Sequence, residues 1–186
     1  MLQGKRIAIL ATDGFEQSEL TEPLDRLRAT DADVKVVSLQ RGKIRGMRGR
    51  EWAEEVDVDA VVDDISAEDF DSLVIPGGLL NPDTLRQSEP AVQLVREMFD
   101  AKKPVAAICH GPWMLAQANV LRNRKVTSYP SIRTDLTNAG ALWADEEVVV
   151  DKGLVTSRSP ADLDAFCDKV IEETREGRHE GRREAA

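Results

Sequence analysis

Four short segments of the chain are almost continuously apolar, and segments with helical spacing lie between them. The four apolar segments are RIAILAT (6–12), DVKVVSL (33–39), SLVIPGG (72–78) and PVAAICH (104–110). Runs of this length are typical of parallel strands that helices cover on both faces. Two sets of apolar residues recur at helical spacing: Leu20, Leu24 and Leu27, then Val92, Val95 and Phe99. Strands that alternate with helices predict an α/β domain with a mainly parallel sheet.

Two further segments differ from this pattern, because short strand-like pieces alternate there with glycine and charged residues. This pattern predicts a hairpin within residues 42–65. It predicts a second hairpin in EEVVVDKGLVTS (146–157), with its turn at Asp151-Lys152-Gly153. The C-terminal sequence is highly charged and poor in apolar residues. We therefore predict one domain over residues 1–173 and a mobile charged tail over residues 174–186.

The composition narrows the possible functions. The 186 residues carry a formal net charge of -9, which argues against general nucleic-acid binding. The one basic stretch, RGKIRGMRGR (41–50), has no interleaved aromatic residues, so we interpret it as a solvated hairpin or an interface loop. No apolar stretch is long enough to cross a bilayer, and the N-terminus runs directly into a strand. We therefore expect a cytoplasmic protein without a signal peptide or membrane contact.

The two cysteines, Cys109 and Cys167, are far apart and form no CxxC pair, which excludes zinc-ribbon and thioredoxin-type sites. A chain of this size needs no metal to stabilise its core. We therefore predict no metal site and no cofactor. Cys167 follows Leu163 by one turn on the apolar stripe of the last helix, which predicts a role in core packing.

Polar residues with potential chemistry follow three of the predicted strands, at TDGFEQSE (12–19), PGGLLNPD (76–83) and CHGP (109–112). Sites in open α/β folds lie outside the carboxyl ends of the strands, so we expect these segments to meet. Cys109 stands where a strand turns into a helix, as at the nucleophile elbow of hydrolases. The start of that helix favours the thiolate of Cys109. A buried cysteine that only packs at a strand end is the alternative.

Several groups are candidates to assist Cys109. Backbone N–H groups of the Gly77-Gly78 turn and of His110 are placed to hold an oxyanion. His110 is also the only histidine outside the charged tail, so any imidazole for acid–base catalysis must come from it. A third group should orient that ring, and the sequence does not identify it. Glu16 stands at the start of the first helix, where it and Glu19 can equally be acids that only stabilise the helix dipole.

Five ordered segments resemble the ThiJ/PfpI family, also called intracellular protease I, within the class I glutamine amidotransferase-like superfamily. They are DGFEQSEL, LVIPGG, KPVAAICHGPWML, KVTSYPSIRTDLTNAGALW and EVVVDKGLVTSRSPADLDAF, within residues 5–173. The resemblance implies a flavodoxin-like three-layer α/β/α sandwich with Cys109 as the nucleophile. It implies that Glu16 hydrogen-bonds the Cys109 sulfur as a protonated acid. It also implies that the N–H groups of Gly78 and His110 form the oxyanion hole.

The resemblance further implies a homo-oligomer, either a dimer or a hexamer. In hexameric members an acidic residue of the adjacent subunit completes a Cys-His-acid triad, and Asp83 is the matching position. Here GGLLNPD has one additional residue, and Asp83 replaces the usual glutamate. Gly77 and Trp113 are expected to line the substrate pocket, and Trp113 replaces the glutamine common after CHGP in archaeal members.

Together these features predict a cysteine-dependent hydrolase of the stress response. By resemblance it would act on reactive carbonyls or glycation adducts, as a deglycase or a glyoxalase III-like enzyme, with a small carbonyl compound as its substrate. Two alternatives stay open. One is an intracellular cysteine peptidase, and the other is a redox-sensing or chaperone-like stress protein that works through oxidation of an exposed, low-pKa Cys109.

Overall fold

A computed structural model describes residues 1–179. Its strands are β1 Arg6–Leu10, β2 Phe15–Glu16, β3 Asp33–Ser38, β4 Lys43–Arg48, β5 Glu51–Asp57, β6 Ala60–Val61, β7 Ser72–Ile75, β8 Val105–Ile108, β9 Lys125–Val126, β10 Leu142–Trp143, β11 Val148–Asp151 and β12 Leu154–Ser157. Its α-helices are α1 Gln17–Arg28, α2 Leu80–Leu85, α3 Glu89–Asp100, α4 Trp113–Gln117, α5 Arg133–Asn138 and α6 Leu163–Glu176. The four predicted central strands and the two helices with apolar spacing are therefore present.

Seven strands form the central sheet, in the order β11-β12-β8-β7-β1-β3-β6. All neighbours are parallel except β11, which runs antiparallel to β12. The prediction of a mainly parallel α/β sandwich is confirmed. Because β1, β7 and β8 are neighbours, their carboxyl ends lie side by side at one edge of the sheet.

The apolar core consists of two layers, one on each face of this sheet. Along β1, Ile7 and Ile9 belong to the layer that also contains residues of α1 and α6, whereas Ala8 and Leu10 belong to the layer under α3, α4 and α5. Successive side chains of a strand point to opposite faces, so a strand covered on both sides must be apolar throughout. This explains the continuous apolar runs in the sequence.

Both predicted hairpins are present. Strands β4 and β5 pair antiparallel, and β4 also pairs with the short strand β2, which forms a separate three-stranded sheet next to the start of α1. The second hairpin, β11-β12, is part of the central sheet, because β12 pairs in parallel with β8. The carbonyl of Ser157 accepts a hydrogen bond from the N–H of Cys109 at 3.0 Å, so this hairpin supports the end of β8.

The C-terminal segment packs on the domain beyond the predicted boundary at residue 173. Helix α6 continues to Glu176, and the hydroxyl of Thr174 donates to that of Ser72 at 2.9 Å in the interior. His179 is also held in place, because its N–H donates to the carbonyl of Lys102 at 3.0 Å. The rest of the predicted tail, residues 180–186, lies outside the described residues. No helix within residues 1–179 is long and apolar enough to cross a membrane.

Candidate active site

Cys109 occupies the sharp turn that was predicted between β8 and the following helix. Its φ of 62° lies in the left-handed region, which residues other than glycine rarely adopt and which is typical of strained functional positions. Its N–H and its carbonyl are both hydrogen-bonded, to Ser157 and to the N–H of Tyr129. These bonds hold the turn rigidly, and only 7% of the Cys109 surface is exposed.

Two backbone N–H groups point at the Cys109 sulfur, those of Gly78 and His110, and both act to lower the pKa of its thiol. Gly78 has a φ of +81°, which turns its N–H toward the cysteine. These are the two donors that the sequence suggested for an oxyanion hole. An oxygen that develops negative charge on a carbon bound to this sulfur would lie within their reach.

The carboxyl group next to Cys109 belongs to Glu19 and not to Glu16. Glu19 is fully buried, and its side chain hydrogen-bonds the Cys109 sulfur. Its Oε2 accepts the N–H of Gly77 at 2.8 Å. The predicted contact between Glu16 and the sulfur is therefore wrong, and the structure assigns that position to Glu19.

The local backbone explains this correction. Glu16 belongs to β2 and has extended backbone angles, because α1 begins one residue later. Its carboxylate lies near Arg48 and Gly49 of the β4-β5 hairpin, and burial raises its pKa. Glu19 is in the first turn of α1, on the buried face that also carries Leu20 and Pro23. The sequence could have identified Glu19, because it is a carboxylate on the apolar face of a predicted helix.

Burial changes the acid–base properties of this group of residues. It raises the pKa of Glu19 from 4.5 to about 8, so this carboxyl is mostly protonated at neutral pH. Burial also raises the pKa of the Cys109 thiol, and the charged form of Glu19 raises it further. Burial thus opposes the resting thiolate that the sequence predicted, whereas the N–H groups of Gly78 and His110 favour it. The redox-sensor alternative required an exposed, low-pKa cysteine, and Cys109 is instead buried.

His110 contacts Cys109 directly and is oriented by a neighbour that the sequence did not identify. Its Nδ1 lies 3.2 Å from the Cys109 sulfur, and its Nε2 lies 3.2 Å from Oγ of Ser131. The Tyr129 ring stacks on the imidazole with 4.9 Å between centroids. Burial lowers the pKa of His110, so the ring is neutral at pH 7. The Ser131 hydroxyl can accept a hydrogen bond from Nε2–H, which leaves the Nδ1 lone pair directed at the sulfur.

Asp83 does not contact His110 within the chain. Its Oδ1 accepts hydrogen bonds from Arg86 at 2.6 and 3.0 Å, and this guanidinium lies 4.6 Å above the ring of Trp113. The indole N–H of Trp113 donates to Asp135 at 2.8 Å, and its ring meets His110 edge-on at 5.2 Å. Trp113 is therefore next to the catalytic candidates, as predicted for a pocket wall. The role of Asp83 in a neighbouring subunit stays a prediction.

Gly77 and Asn81 support the site rather than line it. The N–H of Gly77 is used by Glu19, and a Cβ at this position would lie 2.6 Å from both Glu19 Oε2 and Cys109 Cβ. Asn81, which the sequence analysis missed, is fully buried. Its amide donates to the carbonyls of Pro76 and Gly77 and accepts from the N–H of Thr12. It thus fastens the end of β1 to the glycine turn.

Substituting Gly78 by alanine should destabilise the protein much more than the same change at Gly4. Both glycines have φ near +80°, so the backbone strain of an alanine is similar at the two positions, about 1–2 kcal/mol. A Cβ at Gly4 would meet no atom of residues 1–179 within 4 Å, whereas at Gly78 it would lie against the Gly14 carbonyl oxygen and 2.7 Å from Glu16 N. We expect an additional loss of about 1–3 kcal/mol for Gly78→Ala in urea unfolding. Equal losses for the two variants would contradict this close packing.

The sequence of this chain is similar to those of several known proteins. Three relatives illustrate the range of names. Deglycase TK1284 of Thermococcus kodakarensis is 46% identical over 166 residues, which cover 89% of this chain and 97% of that protein. Protein/nucleic acid deglycase 2 of Escherichia coli is 45% identical over 168 residues, 90% of this chain and 96% of that protein. The putative cysteine protease YraA of Bacillus subtilis is 44% identical over 163 residues, 87% of this chain and 94% of that protein.

A solved structure shows the same fold. It is a two-domain protein from Anabaena variabilis with DJ-1/ThiJ/PfpI-like and ferritin-like domains, and it superposes with a TM-score of 0.86 at 36% sequence identity. The match covers 90% of this chain and 47% of that protein. The sequence profile of the DJ-1/PfpI family matches residues 5–173. The chain with Cys109 at its strained elbow therefore belongs to the DJ-1/PfpI family.

Proposed function

We propose that this protein is a cysteine-dependent deglycase, a hydrolase that removes reactive dicarbonyls such as methylglyoxal from their adducts with amines and thiols. The observation that carries the proposal is the contact of the buried Cys109 sulfur with a protonated carboxyl group and a neutral imidazole. The deglycase names of relatives at about 45% identity support it.

The opposite protonation states of Glu19 and His110 assign their roles. A neutral imidazole 3.2 Å from the sulfur can accept the thiol proton as the sulfur attacks, so His110 is the general base for this step. The Glu19 carboxyl, with a pKa of about 8, can both donate and accept a proton near neutral pH. The acid and base functions are thus divided between Glu19 and His110, because the surroundings of the two side chains differ.

The first step joins the Cys109 sulfur to the aldehyde-derived carbon of the substrate. In free methylglyoxal the carbonyl becomes a hemithioacetal, and its oxygen is held by the N–H groups of Gly78 and His110 before it takes up a proton. In an amine adduct the sulfur replaces the nitrogen at the same carbon. The C–N bond breaks, and the amine leaves with a proton. Both substrates therefore converge on one hemithioacetal.

The second step moves the C–H proton from the sulfur-bearing carbon to the adjacent carbonyl carbon, and the hydroxyl proton passes to the adjacent carbonyl oxygen. The hemithioacetal thereby becomes a thioester of lactate. One carbon is oxidised and its neighbour is reduced, so no external oxidant is needed. Glu19 is the group placed to carry this proton. Water then attacks the thioester, the C–S bond breaks, and the products are lactate and the free thiol. The net reaction consumes one water molecule per adduct.

Peptide hydrolysis is a second candidate, because the relative YraA is named a putative cysteine protease. The contact between Cys109 and His110 is also compatible with amide chemistry. The sulfur, however, belongs to a residue that is only 7% exposed. A small carbonyl compound reaches such an atom more easily than a folded peptide backbone does, and this favours the deglycase function.

The family resemblance supports three further parts of the proposal. The protein works in the cytoplasm, it forms a homo-oligomer, and Asp83 acts at the boundary between subunits. Within the chain Asp83 pairs with the partly exposed Arg86, so a subunit contact would have to compete with that ion pair.

The function is tested by incubating the pure protein with methylglyoxal and, separately, with methylglyoxal adducts of an N-acetylated lysine or cysteine. We expect lactate in each case and recovery of the free amine or thiol in equal amount. A fluorogenic peptide series run in parallel should show no comparable turnover. Cleavage of peptides without lactate formation would overturn the deglycase assignment in favour of the peptidase.

A further inference from the structure

The end of α6 carries a group of three potential metal ligands, far from the candidate active site. Glu173, Glu176 and His179 follow one another at intervals of three residues, and one ligand atom of each lies within 4.8 Å of the other two. His179 hydrogen-bonds the carbonyl of Lys102, just before β8, whereas Cys109 follows the other end of that strand. The group therefore lies at the edge of the sheet opposite to the nucleophile.

Two of the three ligand atoms converge in the interior without forming a hydrogen bond. Glu173 is only 6% exposed, and its Oε2 lies 2.9 Å from Nε2 of His179. Both atoms are shielded from solvent, and neither has a hydrogen-bond partner among residues 1–179. Buried polar atoms are nearly always satisfied, because an unmade hydrogen bond in the interior is costly. A cation held between these two atoms would satisfy both.

The surrounding backbone holds the imidazole in this position. The N–H of His179 donates to Lys102 at 3.0 Å, and Gly177, with a φ of +84°, ends the helix and turns the chain back. The His179 ring lies against Gly153 in the turn between β11 and β12. A Cβ at Gly153 would lie 2.5 Å from Cδ2 of the ring. The ring therefore fits because this position is glycine.

We propose that Glu173, Glu176 and His179 bind a divalent transition-metal ion of the zinc class. Zinc bonds to imidazole nitrogen and carboxylate oxygen are about 2.0–2.2 Å long, so tetrahedral ligand atoms lie about 3.4 Å apart. The observed separations of 2.9 Å and up to 4.8 Å bracket this value, and small side-chain movements reach it. Glu176 is exposed and supplies the ligand on the solvent side, where water can complete the coordination.

The choice of metal follows from the ligands. Imidazole suits zinc, copper, nickel and iron, whereas magnesium and calcium prefer oxygen ligands alone. Bound there, the ion would connect the end of α6 to the β11-β12 turn and to the segment before β8. Glu176 and His179 lie beyond residues 5–173, the region that the family profile matches. The proposal departs from our sequence-based expectation of no metal, and it does not depend on the proposed function.

The test is calorimetric titration of the chelator-treated full-length protein with zinc chloride. Cys109→Ser is used as the background so that the active-site thiol cannot bind the ion. We expect one zinc per chain and at least about tenfold weaker binding for Glu176→Gln and for His179→Gln. Zinc at one hundred times its Kd should raise the unfolding temperature by roughly 5 °C or more, and magnesium should not.

Glu172→Gln is the matched control, because it removes the same charge from the same helix turn while its partner is Lys169. It should leave zinc affinity unchanged within about twofold. Glu176 is exposed, so its substitution should not disturb the metal-free fold, which the unfolding temperature without metal will verify. The alternative is a simple ion pair between Glu173 and His179. Absence of saturable binding, or equal affinity in the Glu176→Gln variant, would overturn the metal site in favour of that pair.

Discussion

Replacing Cys109 with serine should lower lactate production from methylglyoxal by at least about 10³-fold, with the fold retained. The reason is chemical. A hydroxyl is a much poorer nucleophile than a thiol, and the proposed proton acceptor, His110, has a pKa that burial lowers. The two side chains are nearly the same size, and the strained turn is held by backbone hydrogen bonds that serine retains. Steady-state kinetics at pH 7 measure the loss.

Cys167→Ala is the matched control for this prediction. Cys167 is the other cysteine of the chain, and it is 1% exposed among Leu163, Phe166 and Val170 of α6. Its position confirms the packing role predicted from the sequence. The control should keep kcat within about twofold even though the loss of core volume reduces stability. Substantial turnover by Cys109→Ser would show that the sulfur is not the nucleophile and would remove the basis of the proposed mechanism.

Glu19→Gln should reduce kcat by about 10²–10⁴-fold, whereas Glu16→Gln should change it by less than about threefold. Glutamine keeps the shape of Glu19 and can still accept the N–H of Gly77, but it cannot carry a proton. Glu16 is directed at the β4-β5 hairpin rather than at the sulfur. The two glutamates are three residues apart, so the comparison separates the residue found in the structure from the one suggested by the resemblance. A larger loss of kcat for Glu16→Gln than for Glu19→Gln would show that Glu16, and not Glu19, acts in catalysis.

The same substitution at Glu19 should alter the dependence of stability on pH. The pKa of Glu19 is about 8 in the folded protein against 4.5 as the ordinary value, so the fold favours the protonated form. Between these values the folded chain holds a proton that the unfolded chain releases. The contribution of Glu19 is therefore fully present below about pH 4.5 and is lost as the pH rises to 8. The loss is on the order of a few kcal/mol.

Urea unfolding of the wild type and of Glu19→Gln across this pH range measures the effect. The free energy of unfolding of the wild type should fall relative to that of the variant as the pH rises. A constant difference between pH 4.5 and 8 would mean that Glu19 is ionised throughout, and the assignment of Glu19 as an acid would then fail.

The fold was largely predictable from local patterns. A strand that is buried on both faces has to be apolar throughout, so β1, β3, β7 and β8 were visible as short continuous runs. The helices α1 and α3 were visible through their leucine, valine and phenylalanine spacing. The shortest elements were missed. Strands of two residues, such as β2, β6 and β9, carry no periodic signal and form only because another strand lies beside them.

The candidate site was predictable where one residue and its turn define the chemistry. Cys109, His110 and Gly78 lie at strand ends, and parallel strands bring their carboxyl ends together whatever the other details. The site was unpredictable where a side chain's direction depends on a helix boundary. Glu16 is the last residue before α1 and belongs to β2, whereas Glu19 lies on the buried face of α1, and local propensity does not place a helix boundary to the exact residue.

The sequence by itself thus determined the α/β class, predicted that three strand ends meet at one edge of the sheet, and identified Cys109 as the candidate nucleophile. These features depend on short-range hydrophobic patterns and on one turn. Only the tertiary structure decided which carboxyl group is buried against the sulfur, that burial keeps it protonated, and that Ser131 orients His110. It also brought His179 against Glu173 and Gly153 at the opposite edge. These features depend on desolvation and on contacts between distant segments, and both exist only once the chain has packed.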